Sequence, residues 1–429
     1  MREIFRRIIV DFQERPIRQT IKRDVEVPLF SDKIISLIGV RRCGKTSILY
    51  KMIEELRESI DIKNIVYINF EDDRLLGTTV NNLDDMIEGY YELYPEKRDE
   101  KIYLFFDEVQ NIPQWELFIR RIYDTLNVQI VITGSSSKLL SSEIATSLRG
   151  RTLTYEIFPF SFKEYLRFKN ITVNLNSSKS LSFIKHSFEE YLIYGGFPET
   201  IGQDSVIQKR ILSDYVNLIV YKDLIERYGI TNTSLLKHLI KYTFVNMATL
   251  VSITKLYNDF KSNGFKLGKE TLFDYFGYLE EAYAIFSVPI FRSSVREEQR
   301  NPKKIYAIDN GLRAVYDSSF SSDYSKLYEN LVFLALRSQC SEVYYIKERQ
   351  EIDFYCVIDG EKQLINVSVD ISNPDTLERE INSLVEGMEY VGVDKSVLIT
   401  KEREGSMSVG DKLIYFIPLW KWLLTHELS

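Results

Sequence analysis

Apolar residues fall in short, nearly continuous runs over the first 160 positions. Lys33 to Ile38 is one such run and ends at Gly39; Val66 to Phe70, Tyr103 to Phe106 and Val128 to Thr133 follow. Runs of this length, apolar on both faces, are the pattern of strands covered by helices on either side. Thr46 to Leu56 carries helical spacing between the first two. This alternation predicts an α/β fold with a parallel central sheet.

The pattern changes after about Pro159. Residues to Arg227 read as mainly helical, with a break at Gly195-Gly196-Phe197-Pro198. Helical spacing returns over Leu235 to Phe244, Ile253 to Asn263 and Lys269 to Glu281. Ala284 to Phe291 and Lys304 to Ile308 then pair as strands across a charged loop. A helix containing Glu329 precedes short strands around Val343 to Ile346, Asp353 to Ile358 and Gln363 to Val369. Leu413 to Leu424 reads as a closing strand and short helix, since Pro418 and Lys421 interrupt it well short of a membrane span. Neither an internal repeat nor a low-complexity segment is present.

At 429 residues the chain exceeds one ordinary core. Its 45% hydrophobic and 27% charged content fits a globular protein that is not membrane-embedded. The net charge of −7 argues against coating nucleic acid by bulk attraction, leaving only a local basic patch. Cys43, Cys340 and Cys356 are odd in number and scattered, which predicts neither a disulfide framework nor a zinc site. His186, His238 and His426 are dispersed in the same way. No secretion signal opens the sequence, so a reducing cytoplasm is the expected setting.

Chemistry enters at Gly39-Val40-Arg41-Arg42-Cys43-Gly44-Lys45-Thr46, followed by Ser47. A phosphate loop needs glycines so that backbone amides converge, a lysine for the β- and γ-phosphate charge, and a hydroxyl for magnesium. Gly39, Gly44, Lys45 and Thr46 supply these, and the following helix turns its positive end toward the phosphates. ATP and Mg2+ are the expected ligands. Arg41 and Arg42 reach phosphate, reach a partner subunit, or are simply solvated. Leu104 to Phe106 then delivers Asp107 and Glu108 at a strand end, where ligands of α/β sheets bind. Asp107 is placed to hold magnesium and Glu108 to orient the attacking water. Of the small polar residues in Ile132-Thr133-Gly134-Ser135-Ser136-Ser137, Ser135 is the first candidate γ-phosphate reader and Thr133 the second; a helix-capping turn is the plainer role. In Leu148-Arg149-Gly150-Arg151, Arg149 and Arg151 are candidates to stabilise transition-state charge, in cis or from a neighbouring copy in a homo-oligomer; the alternative is a surface ion pair.

Taken together, these residues resemble the archaeal and bacterial AAA-type ATPases that carry a C-terminal nuclease-like domain. The resemblance runs through Lys22-Arg23-Asp24, the phosphate loop, Asn69-Phe70-Glu71-Asp72, and Phe106 to Gln110 with Trp115. It continues through Thr133 to Ser137, Leu148 to Arg151, Pro159 to Tyr165 and Gly195 to Glu199. It implies a P-loop ATPase core over residues 1–158, a helical lid over 159–230, a winged helix over 231–318 and a restriction-endonuclease-like α/β domain over 319–429. It also implies that Arg23 lies near the nucleotide base.

Residues 232–316 hold 12 Lys and Arg against 8 Asp and Glu, a local charge of +4 within an acidic chain. Lys269 to Glu281 would be the recognition helix for double-stranded DNA. Arg292, Arg296, Arg300, Lys303 and Lys304 would form a basic wing. Apolar bulk at Tyr275, Phe276, Tyr278 and Leu279 points equally to intramolecular docking. The tail departs from the nuclease pattern. Glu329 and Asp353, with Glu351, match its acidic residues, but Asn366-Val367-Ser368 stands where an acidic residue and a lysine belong; Lys347 would substitute only if the fold brought it across. An ATPase coupling hydrolysis to conformational change is the leading expectation, a slow nucleotide-controlled interaction switch the alternative, and an ATP-regulated nuclease the least favoured.

Overall fold

Parallel strands buried on both faces require helices above and below them, and the computed structural model builds the first part of the chain this way. It describes residues 1–17, 20–134, 148, 150–292, 294, 297–298, 301–316 and 324–425. Two compact units make up the chain, residues 1–158 and residues 159–429.

The first unit runs α1 (Arg2–Glu14), β1 (Ile34–Ile38), α2 (Lys45–Leu56), β2 (Ile65–Asn69), α3 (Asp84–Leu93), β3 (Ile102–Asp107), α4 (Trp115–Thr125), β4 (Val128–Gly134) and β5 (Thr152–Glu156). Its five-stranded sheet has the order β2-β3-β4-β1-β5, and every pairing is parallel. The α/β reading with a parallel central sheet holds. β1 and β3 are buried along their whole length, as their unbroken apolar runs demand. The register sets Leu37 beside Thr133 and Phe106 beside Ile132, so the C-terminal ends of β1, β4 and β3 meet along one edge. On α1 the stripe Phe5, Ile8, Ile9 and Phe12 is buried, each side chain contributing on the order of 1.5–3 kcal/mol. Phe12 stacks on Tyr67 of β2 with ring centroids 4.6 Å apart.

The second unit begins with α5 (Phe162–Phe168), α6 (Ser178–Tyr194), α7 (Ser205–Leu218) and a π-helical stretch, Ile219–Glu226. Ser161 and Glu164 form a capping box that starts α5. The break after α6 is a tight junction: a Cβ on Gly195 would lie 1.7 Å from Asp309 Oδ1, and one on Gly196 would lie 2.2 Å from the Phe160 carbonyl oxygen. Asp309 accepts from the Gly196 and Gly311 amides at 2.7 and 2.8 Å. Burial pushes its carboxyl up to about 7, against the pull of those two amides.

Next come α8 (Thr233–Val245), β6 (Thr249–Val251), α9 (Ile253–Ser262), α10 (Lys269–Glu281), β7 (Ile285–Val288) and β8 (Lys303–Ala307). Their strands form an antiparallel three-stranded sheet, β6-β8-β7. The chain closes with α11 (Tyr324–Arg337), β9 (Val343–Lys347), β10 (Glu351–Ile358), β11 (Glu361–Val367), α12 (Pro374–Val391), β12 (Lys395–Thr400), β13 (Gly405–Val409), β14 (Lys412–Pro418) and α13 (Leu419–Thr425). The six-stranded mixed sheet has the order β13-β14-β12-β11-β10-β9. Leu384, Met388 and Val391 of α12 pack on Ile352, Leu364, Leu398 and Phe416 of this sheet. Gly387 permits that contact, since a Cβ there would lie 1.9 Å from the Ile352 side chain. Among the described residues, no helix is long and apolar enough to cross a membrane.

Candidate functional site

β1 ends at Ile38, and the loop from Gly39 to Gly44 turns the chain into α2 at Lys45. Two glycines make the turn possible. Gly39 has φ 148°, and a Cβ on it would sit 2.1 Å from the Ile157 carbonyl oxygen; Gly44 is left-handed at φ 103°. Lys45 is 4% exposed, and its ammonium donates to the Gly39 and Val40 carbonyls at 3.0 and 3.1 Å. The Glu108 carboxylate stands 3.9 Å from it. A buried cation with one acid at that distance suits a polyanionic ligand.

Arg23 bridges the loop to the far end of the unit, donating to the Cys43 carbonyl at 2.9 Å and the Phe158 carbonyl at 2.7 Å. It therefore acts on the loop's backbone. Cys43 is fully buried, and burial raises its thiol despite the opposing pull of Lys45 and Arg23. Arg41 pairs with Glu71 at 2.9 Å. Arg42 is exposed with φ 67°, and Ser47 is exposed on the first turn of α2.

Three hydroxyls converge on Asp107, which is 1% exposed. Thr46 Oγ1 donates to Oδ2 at 2.8 Å, Tyr67 donates to the same oxygen at 2.9 Å, and Thr133 donates to Oδ1. Burial pushes this carboxyl above its ordinary value, while the Thr133, Thr46 and Tyr67 hydroxyls pull it back. Burial, then the Asp107 charge, raises the Tyr67 hydroxyl, which keeps it a donor.

Glu108 is held differently. It is left-handed, with φ 54° and ψ 46°, a conformation worth of order 1 kcal/mol of strain for a residue with a side chain. Its amide donates to Thr133 Oγ1 at 2.9 Å, and the Gln110 side-chain amide donates to its carboxylate. Thr133, 0% exposed, thus ties Asp107 and Glu108 together through one hydroxyl. The structure brings Lys45, Thr46, Asp107, Glu108 and Thr133 into one site. Tyr67 joins them with no signal in motif spacing; its only cue is a hydroxyl-bearing residue inside an apolar strand.

Two expected residues, Ser135 and Arg149, lie outside the described residues. Arg151 is placed elsewhere. It donates to both carboxylate oxygens of Asp124, at 3.0 and 3.1 Å, and its carbonyl accepts from Ile34 at 2.8 Å. Thr152 pairs with Ile34, the first residue of β1, so Arg151 sits at the N-terminal edge of the sheet. The phosphate loop leaves the other edge, roughly 15 Å away at ~3.3 Å per residue. Arg151 cannot reach phosphates held by its own chain, because β5 begins where β1 begins.

A profile described as an AAA domain matches residues 31–166, and one described as a domain of unknown function matches residues 185–322. The uncharacterized protein MJ1544 of Methanocaldococcus jannaschii is 37% identical, over 99% of this chain and 96% of its own length. The chain belongs to this family. An uncharacterized protein of Haemophilus influenzae is 31% identical over 91% of this chain and 94% of its own. Among solved structures, the Walker-type ATPase PABY2304 of Pyrococcus abyssi aligns at 17% identity, over 66% of this chain and 90% of that one, with a TM-score of 0.41. In this chain the AAA-domain match falls mostly in the first unit, and the second unit runs from residue 159 to residue 429.

In that second unit, two of the five expected wing residues, Lys304 and Arg292, are engaged by acids of the same unit. Lys304 is 2% exposed and bound to Glu329, Glu351 and Asp353 at 3.0, 2.9 and 2.8 Å. Arg292 pairs with Glu348 and donates to the Lys347 carbonyl. Arg296 and Arg300 lie outside the described residues, and Lys303 is exposed. On α10, Leu272, Tyr275, Phe276 and Leu279 are buried, and Tyr278 stacks on Tyr228 at 3.8 Å. Its charges are Lys269 against Glu270, Asp274, Glu280 and Glu281, a net of 1 − 4 = −3. Glu329 and Asp353 do meet, as the tail's pattern suggests. Lys347 stays exposed, paired with Glu351 at 3.3 Å. Asn366 accepts from the Asp353 amide at 3.0 Å and donates to Glu380 at 2.9 Å.

Proposed function

We propose that the chain binds ATP with Mg2+ at Gly39–Thr46, hydrolyses it, and couples turnover to a change in its second unit. The observation that carries this reading is the Thr133 hydroxyl joining Asp107 to the strained Glu108, beside Lys45. Lys45 and the loop amides bind the β- and γ-phosphates. Thr46 and Asp107 suit a hard cation in donor type and fixed separation; Mg2+ held there would screen phosphate charge. Glu108 orients a water and accepts its proton, and its unusual backbone aims it. Arg23 braces the loop from behind. Ser135 as reader of the γ-phosphate belongs to this reading, as does Arg149 as a charge supplied within one chain or from a neighbouring copy of a homo-oligomer.

The succession of α8, β6, α9, α10, β7 and β8 supports a winged helix, and α11 with the mixed sheet supports a nuclease-like tail that has lost its chemistry. A double-stranded DNA target is the finer reading of the winged helix. The charge of α10 and the engagement of Lys304 and Arg292 weigh against it, and they favour a second reading, a slow nucleotide-controlled switch acting through protein contacts. ATP turnover with Mg2+, measured with and without duplex DNA, decides between them. Turnover raised by DNA in a salt-dependent manner supports a DNA-acting ATPase. Slow, DNA-indifferent turnover supports the switch. No turnover under either condition overturns the hydrolytic reading.

A further inference from the structure

Three carboxylates, Glu329, Glu351 and Asp353, converge on one ammonium and face a cavity of about 990 Å3 lined by Asp370 and Glu380 as well; with that ammonium in place, no group of three acids among the described residues is set to hold a metal ion. Glu329 comes from α11, and Glu351 and Asp353 come from β10. Between them stands the Lys304 ammonium, which donates to Glu329 and Asp353 at 3.0 and 2.8 Å and pairs with Glu351 at 2.9 Å. Lys304 belongs to β8, in the other sheet of this unit, where it pairs with Val288 and Leu250.

We propose that Lys304 is the resident cation of this acidic site, standing where a divalent metal would bind and closing the site to it. The surrounding contacts hold the ammonium in place. Two residues along β8 on the same face, Tyr306 donates to Glu329 at 2.7 Å and its ring stacks on Phe333 at 4.3 Å. Asn330 then binds the Ala307 backbone in both directions, at 2.8 and 3.0 Å. Tyr345 donates to the Pro302 carbonyl at 2.6 Å, just before β8. The strand is therefore fastened to α11 and β9 from both ends of Lys304. A metal ion entering the site would have to expel the ammonium from all three acids, leaving a charge that is 2% exposed without its partners.

Asn366 extends the same logic. It stands beside Asp353 as a neutral amide bonded to Glu380, so the site offers a metal one fewer anionic ligand where the tail's pattern calls for an acid. The internal cation also ties the three-stranded sheet to the six-stranded sheet through Glu351 and Asp353. The role of Lys304 does not depend on the ATPase reading; in a nuclease-like tail, an ammonium held this way would be a physical cause for the loss of cutting.

The test uses Mn2+ as the probe, in nucleotide-free full-length protein carrying Asp107→Asn so that the phosphate loop contributes no ligand. Free Mn2+ is followed by electron paramagnetic resonance. The Asp107→Asn chain should bind no Mn2+ that is sensitive to Glu329→Gln. Adding Lys304→Met should create one site per chain, at least tenfold tighter, that Glu329→Gln removes again. A Lys304→Met chain that folds only when Mn2+ is present gives the same answer. The proposal is overturned if the chain with Lys304 intact binds one Mn2+ lost in Glu329→Gln, or if folded Lys304→Met gains no site. If Lys304→Met folds under neither condition, the Lys304-intact arm decides alone: an Mn2+ site there overturns the proposal, and its absence upholds it.

Discussion

Thr133→Val removes one oxygen and leaves the shape of the side chain. Thr133 is 0% exposed, so valine neither opens a cavity nor meets water. What disappears is a hydroxyl that donates to Asp107 and accepts from the Glu108 amide at 2.9 Å. An unpaired buried amide costs about 1–3 kcal/mol, and the bond to a carboxylate is worth about 1.5–3 kcal/mol. The two share one oxygen and do not simply add. Asp107 keeps Thr46 and Tyr67, so a loss of about 2–4 kcal/mol in unfolding free energy is expected.

The effect on turnover follows from geometry. Without Thr133, the Glu108 amide loses its acceptor, and the left-handed turn keeps only the Asn111 amide on the Glu108 carbonyl and the Gln110 amide on the carboxylate, so the carboxylate is aimed less firmly. A transition-state loss of about 1.4–2.8 kcal/mol corresponds to roughly 10- to 100-fold in rate. ATP affinity should stay nearly constant, because Lys45 and the loop amides are untouched. Urea unfolding followed by tryptophan fluorescence and ATP turnover at saturating substrate read the two effects separately. Thr133→Ser, which keeps the hydroxyl, should retain most of the turnover. Wild-type turnover in Thr133→Val would refute the reasoning, since the hydroxyl would then position nothing.

Lys45→Ala should weaken ATP binding at least tenfold by calorimetry, having removed the buried cation between the loop and Glu108; unaltered affinity would contradict the assignment of the loop. Asp309 gives a pH dependence with a definite sign. Its carboxyl is raised by burial from 3.8 to about 7 in the fold, so the protonated form is favoured there. Its contribution to stability is fully present below about pH 4 and is lost as pH rises toward 7, by on the order of 4 kcal/mol. The stability difference between wild type and Asp309→Asn in urea melts should change by that amount from pH 4 to 7 and be flat above it. A difference independent of pH would refute the burial argument.

The phosphate loop and the Asp107-Glu108 pair were legible because their chemistry dictates residue type, spacing and a strand end. Tyr67 was not, since a hydroxyl that reaches Asp107 from β2 depends on which strands become neighbours. The stripe Phe5, Ile8, Ile9 and Phe12 of α1 was not among the sequence readings, and its role as the support behind Tyr67 appears only in the packing. For Arg151 the ion-pair alternative is what the fold shows within one chain, with Asp124, because the sequence does not say which edge of the sheet a residue occupies. Lys304 shows the same limit. Next to Lys303 it reads as part of a basic wing, yet successive residues on a strand point to opposite faces, which leaves Lys303 exposed and sends Lys304 into the acids. Leu384, Met388 and Val391 likewise carry helical spacing, whereas the sheet they cover is set by long-range pairing.

Glu108→Gln separates ATP binding at Lys45 from hydrolysis directed by Glu108. ATP binding and steady-state turnover are measured on the same preparation. ATP should still bind with near-wild-type affinity while turnover falls by at least 100-fold, the amide being unable to accept the water's proton. Wild-type turnover in Glu108→Gln would contradict that role of Glu108.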